Sequence, residues 1–318
     1  MTGLTYLVHR VVATGGATAH SRAAPQGAVL VGFGAVVVLL GVNFVAVSLS
    51  NRELAPFWGA GLRFAVASAA LFAIMAVRRI PFPKGSALRS SVGMGALGFG
   101  GAYALIYWGL LSVPAGVASV VFATVPLSTF LLTVALRMES FRTRGLAGAI
   151  IVIAGVAAVS FEQFAGRVDP ARFVAVILSS LAATGAGILV KRAPRTHPAS
   201  MNAVGMGVGA AVLLAVSAAA GEHPALPGHA DTWAALGYLI ASSVTAFMLW
   251  VWIIARWTIS AVSYQAVLSP LVTLGVAAAV LGEPVTTTLA AGTALVLSGV
   301  YVGTLRNRRE AAAPASPG

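Results

Sequence analysis

The chain has 318 residues, of which 58% are hydrophobic and only 9% charged, with a mean hydropathy of +0.92; a soluble domain carries roughly a quarter charged residues. That balance points to a polytopic membrane protein, and the absence of cysteine excludes disulfides, thiolate metal sites and cysteine nucleophiles. The net charge of +12 does not read as a nucleic-acid surface, because the basic residues are dispersed between apolar segments instead of gathering on one solvated face.

A transmembrane helix needs about 20 largely apolar residues. The first 27 residues have neither a charged start nor a long apolar core, so no cleaved signal peptide is expected there, only a disordered lead. Apolar segments follow at about 28–50, 57–77, 90–111, 116–136 and 145–161. A second set runs at about 172–190, 200–220, 233–254, 259–281 and 286–305, and 306–318 reads as a disordered tail. The expected architecture is therefore all-α, with ten transmembrane helices joined by connections too short to hold a soluble domain.

Along these spans a few polar side chains interrupt the apolar runs. Asn43 lies mid-span in VVVLLGVNFVAV and is read as interhelical glue or a substrate contact. Arg63 stands alone in FWGAGLRFAVASAALFAIMAV; an unpaired charge at the bilayer centre costs about 2.5–3.5 kcal/mol even on lenient scales, so it is a functional hypothesis by default. At 100° per residue it shares a small-residue face with Gly59, Ala60, Ala67 and Ala70, which favours packing against protein. Two readings stand: contact with an anionic or zwitterionic substrate, or a structural role, snorkelling to Glu53 or to headgroups.

Tyr103 and Tyr107, four residues apart, share a helix face and are read as a cavity wall or, for Tyr107 especially, an aromatic belt. Trp108, Trp252 and Trp257 read as interface anchors, and Trp250 as an anchor that also stands as a substrate-contact candidate. Tyr264 and Gln265 precede Pro270, with Ser269 on the Gln265 face, so this region offers neutral donors and acceptors. Pro126 and Pro270 are expected to bend their helices, as static kinks or as gating points. All eight acidic residues fall in loops or at helix ends, which weakens proton antiport of lipophilic cations. The histidines His9, His20, His197, His223 and His229 also lie outside the spans, and EHPALPGH reads as a polar turn, so no metal or other cofactor is expected.

Lysines and arginines separate sharply. With a cytoplasmic N-terminus, Arg52, Arg167 and Arg172 are the basic residues in outside loops, Arg63 lies in a span, and all the others fall inside. This distribution predicts an even number of spans in the cytoplasmic membrane with both termini in the cytoplasm. The chain also matches itself at a constant shift of 144: Ser119, Pro126, Leu127, Thr129, Glu139, Gly148 and Gly155 fall on Ser263, Pro270, Leu271, Thr273, Glu283, Gly292 and Gly299. Five spans per copy, an odd number, turn the second repeat over, the arrangement of alternating-access transporters.

The stretches NFVAVSLSNRELAPFWGAGLRFAVAS, SVPAGVASVVFATVPLSTFLLTVALRMESF and SAVSYQAVLSPLVTLGVAAAVLGEPVT resemble the EamA-type, ten-helix branch of the drug/metabolite transporter superfamily. The resemblance implies two five-helix repeats, 28–161 and 172–305, around a central cavity that moves small solutes such as amino acids, often as an exporter. Arg63 matches an arginine that recurs in the family's second helix. Gly282-Glu283 matches its acidic turn, replaced by Met138-Glu139 in the first half. The chain lacks an HExxH motif, paired intramembrane aspartates and cysteine, which weighs against a membrane enzyme. Drug efflux and a sensor role stay as alternatives. Glycine-rich faces such as GMGALGFGG serve bundle packing or a homodimer.

Overall fold

The computed structural model describes residues 26–137, 141, 143–164, 168–257, 262 and 264–302. The elements are α1 (Gln26–Ser50), α2 (Pro56–Arg78), α3 (Gly85–Met94), a π-helical segment (Gly95–Ala102), α4 (Tyr103–Gly109), α5 (Ala115–Phe122), α6 (Val125–Ala135), α7 (Thr143–Phe164), α8 (Pro170–Arg192), α9 (Pro198–Ala219), α10 (Ala230–Ile254), α11 (Gln265–Leu281) and α12 (Thr287–Val300). Among the described residues every regular element is helical.

Six stretches are long and apolar enough to cross a membrane: Gly27–Ser50, Pro56–Arg78, Ala115–Ala135, Pro170–Arg192, Pro198–Ala219 and Ala230–Ile254. Three of these open on proline at the first helical position, Pro56, Pro170 and Pro198, where the missing N–H costs nothing. The third expected span is present but interrupted, because the run GALGFGGA adopts π-helix between α3 and α4. Expected spans five, nine and ten correspond to the apolar helices α7, α11 and α12, the last two of 17 and 14 residues.

Pro126 is the second residue of α6, just after the short break that separates α5 from α6 within the Ala115–Ala135 stretch, and Pro270 lies inside α11. There the hydroxyls of Ser269 and Thr273 donate to the carbonyls of Val37 and Gly41 on α1, at 3.3 and 2.8 Å. The helix around Pro270 is thus tied to a neighbouring helix by polar contacts suited to an apolar surround.

The partners of corresponding helices exchange between the two halves. Helix α1 packs on α10 and α11, while α8 packs on the α3–α4 region and on α5 and α6. Helices α2 and α9 pack on each other, as do α7 and α12. In the α7–α12 contact a Cβ on Gly155 would lie 2.8 Å from the Gly292 carbonyl, and one on Gly299 would lie 2.8 Å from the Gly148 carbonyl. The register pairs early with late, so the two helices run antiparallel, and the four glycines are the ones related by the shift of 144. The α2–α9 pair is also antiparallel: Gly61 meets Leu214, and Ser68 meets Gly207 and donates to the Ala203 carbonyl at 2.7 Å.

At one end of the bundle three carboxylates join the halves. Glu222 accepts from the N–H groups of Phe57 and Trp58 at 3.2 and 2.7 Å. Glu283 accepts from those of Ala115 and Gly116 at 2.8 and 2.9 Å. Each satisfies the orphan donors of a helix N-terminus, where negative charge is favoured. The turn that aims Glu283 needs Gly282 at φ +69°, a left-handed conformation that glycine adopts without strain. Glu53 accepts from the N–H groups of Gly228 and His229 and from the His229 imidazole. Glu139 lies outside the described residues. At the opposite end, Lys191 donates to the carbonyls of Ile254 and Trp257, both at 3.1 Å, closing the C-terminus of α10.

Candidate functional site

Between the two halves lies a cavity of about 170 Å³; a single water needs about 10–15 Å³. Its wall draws on α1 (Leu40, Asn43, Phe44, Val47), on the third span from Met94 to Leu110, on α5 and α6, on α8, and on α9 to α11. The lining is mostly apolar and aromatic, with Phe44, Phe99, Tyr103, Phe122, Phe247 and Trp250 among it. No charged side chain lines it among the described residues. In the run GMGALGFGG, Gly98 meets Ala186 on α8 and Gly100 meets Val212 on α9.

Three amide residues that line this cavity each hold a buried polar atom without a protein partner. Asn43, 6% exposed, accepts from the Ser242 hydroxyl at 2.8 Å, and its Nδ2 has no protein partner. Gln265 lines the cavity with Oε1 unpartnered. Asn202 on α9 donates to the carbonyls of Pro198 and Phe247 at 3.0 and 3.1 Å and leaves Oδ1 unpartnered. Buried polar atoms without partners are expensive, and a few polar residues set in an otherwise apolar cavity lining are the usual signature of a ligand site. Asn202 was not among the residues singled out from sequence, although it stands alone in an apolar run as Asn43 does. The hydroxyls of Ser179 and Thr184 also lie on the wall, already committed to the carbonyls of Ala102 and Ser180.

Arg63 is fully buried, as its small-residue face requires, but it does not line the cavity. Its Nε donates to the Ser243 hydroxyl at 2.6 Å and its Nη1 to the Tyr107 hydroxyl at 3.4 Å, while Nη2 has no protein partner. The guanidinium carbon sits 4.9 Å from the Phe64 ring centroid and 5.1 Å from that of Tyr103, within cation–π range. It does not snorkel to Glu53, whose carboxylate is engaged by Gly228 and His229. Asn43 does not bond to Arg63 either; the two are linked through the adjacent Ser242 and Ser243 on α10.

The remaining expected site residues divide. Tyr103 and Trp250 line the cavity. Tyr107 is buried against Arg63, with its ring 6.3 Å from that of Tyr103, so it belongs to neither the cavity wall nor an exposed belt. Tyr264 packs against a separate apolar cluster of Leu127, Val152, Val267 and Val300 and is not among the residues that line the cavity. Trp108 lies under the Arg172 guanidinium at 5.9 Å, and Trp252 is 7% exposed beneath that of Arg256 at 4.2 Å.

Residues 27–161 and 172–305 each match the EamA-like transporter family. Among similar proteins, an uncharacterized transporter of Archaeoglobus fulgidus is 27% identical over 84% of this chain and 95% of its own. A probable terminal-alkyne amino-acid exporter of Streptantibioticus cattleyicolor is 27% identical over 79% and 86%. A probable amino-acid metabolite efflux pump of Escherichia coli is 26% identical over 84% and 91%. One solved crystal structure superimposes with a TM-score of 0.66 at 20% identity, covering 88% of this chain and 99% of that one, a likeness of fold alone.

Proposed function

Because the chain belongs to the EamA-like transporter family, we propose that it is a secondary carrier which exports or exchanges a small polar or zwitterionic metabolite, such as an amino acid, by alternating access. The observation that carries this reading is the cavity between the halves, lined among the described residues by no charged side chain, with Asn43, Asn202 and Gln265 in its lining, each holding a polar atom without a protein partner. Its volume, more than ten times what a single water needs, suits a solute the size of an amino acid, and the acceptors Asn202 Oδ1 and Gln265 Oε1 suit an ammonium or hydroxyl group. The names of two relatives, an amino-acid exporter and an amino-acid metabolite efflux pump, favour the same class.

The proposed architecture is ten transmembrane helices in two inverted five-helix repeats, 28–161 and 172–305. The antiparallel α7–α12 and α2–α9 pairs and the exchange of packing partners support it. The proposed setting is the cytoplasmic membrane, with both termini on the cytoplasmic side and the carboxylate-joined end outside, supported by the lysine and arginine asymmetry.

The test compares metabolites outside cells that express the wild type, the Asn202→Leu variant, or nothing. Extra release of a small zwitterionic solute by the wild type alone, at equal protein levels, is the expected result. Equal release from all three, for every neutral amino acid supplied, would overturn the assignment.

A further inference from the structure

We propose that Arg63 is a carboxylate subsite set behind Tyr103, reached from the cavity when the Tyr103 ring turns aside, so that the cargo is an acid. This rests on the reading that the cavity carries the cargo, and it adds which charge the cargo bears.

Arg63 carries a cation into an apolar interior, where a lone charge is costly. Among the described residues it is bonded to hydroxyls and not to any carboxylate. The hydroxyls of Ser243 and Tyr107 orient it without neutralising it, and Ser243 is itself fixed by donating to the Leu239 carbonyl at 2.6 Å. The Nη2 group has no protein partner, and the Nη1 contact with Tyr107 is long at 3.4 Å and is easily exchanged for a charged acceptor. Those two nitrogens form the edge that a carboxylate binds through two parallel hydrogen bonds.

Tyr103 touches both the guanidinium and the cavity. Its ring lies 5.1 Å from the guanidinium carbon and also lines the cavity wall. Tyr103 is also the first residue after the π-helical segment Gly95–Ala102. A π turn holds one residue more than an α turn and is a recurrent feature of functional sites. Converting it to α-helix would rotate α4 by about 100° relative to α3, enough to carry the Tyr103 ring off the guanidinium. Among the described residues the cavity wall offers neutral groups only, so a cargo anion finds its counter-charge at Arg63, while Asn202 Oδ1 and Gln265 Oε1 remain for an ammonium.

The test uses the purified full chain in lipid nanodiscs, with thermal stability read against neutral L-amino acids and their carboxamides. The wild type should be stabilised by one or more acids, with the matching amide needing at least about tenfold more, the ratio expected for a lost charge-assisted pair. In Arg63→Gln the acid and amide should become equivalent. If Arg63→Gln does not accumulate, Arg63→Lys, which keeps the charge but not the two-pronged edge, should show a reduced preference. Equal stabilisation of the wild type by acid and amide would overturn the subsite and leave the carrier reading standing. An acid preference that survives in Arg63→Gln would do the same. Stabilisation by no acid and no amide would overturn the subsite and the amino-acid reading together.

Discussion

Arg63 on α2 and Ser243 on α10 are joined across the two halves by a 2.6 Å hydrogen bond between fully buried side chains. A charge carried by one half is therefore held by a hydroxyl of the other. Replacing Ser243 with alanine strips the buried Nε of its acceptor, and leaving a buried donor unsatisfied costs about 1–3 kcal/mol. The Ser243→Ala protein is expected to melt earlier than the wild type in the same nanodiscs; an unchanged melting temperature would show that this bond contributes nothing.

The cavity amides lead to a different outcome. Asn202→Leu keeps a side chain of similar size but removes an acceptor from the wall, along with donors to the Pro198 and Phe247 carbonyls. Transport should fall by about tenfold, the worth of one good hydrogen bond. Initial rates corrected for protein level measure it; Asn43→Leu, which also breaks the contact with Ser242, should fall in the same direction.

Contact between α7 and α12 is closer than any side chain allows at Gly155. A Cβ there would lie 2.8 Å from the Gly292 carbonyl and 2.9 Å from a Val296 methyl. Gly155→Val should lower stability by about 1–3 kcal/mol, the usual cost of overpacking, and Gly275→Ala, with nothing within 4 Å of its Cβ, should not. Comparing the yields and melting temperatures of the two variants checks this.

Outside the spans, Glu53 gives a pH dependence. Partial burial pushes its carboxyl up, but the N–H groups of Gly228 and His229, the His229 imidazole and the Thr232 hydroxyl outweigh that and hold its pKa below the ordinary 4.5. A depressed carboxylate stabilises the fold fully above its unfolded value, and the contribution is lost as pH falls through the lower, folded value. Stability should therefore decline below about pH 4.5, with a shallower decline in Glu53→Gln.

Much of the fold was legible because the bilayer imposes its own length scale: an apolar stretch of about 20 residues is visible whatever it packs against. The shift that relates Gly148 and Gly155 to Gly292 and Gly299 also marked the surface on which α7 and α12 meet. Local breaks were not legible. Nothing in GALGFGGA distinguishes π-helix from α-helix, and nothing in the sequence marks the short break between Phe122 and Val125 that precedes Pro126. At the site, burial of Arg63 followed from its small-residue neighbours, but its place against Tyr103 depends on three helices at once. Tyr107 and Tyr264 were misplaced for the same reason: helix phase tells which face a residue occupies, not which neighbour fills the space opposite.

The most direct test of the carrier reading is counterflow in proteoliposomes that hold the purified chain. Vesicles loaded with an unlabelled neutral amino acid that wild-type cells release should take up the labelled compound faster than empty vesicles, with saturation, and Asn202→Leu should lose most of that stimulation. A flux that rises linearly with concentration and is indifferent to the internal solute would contradict a cargo site that faces one side at a time.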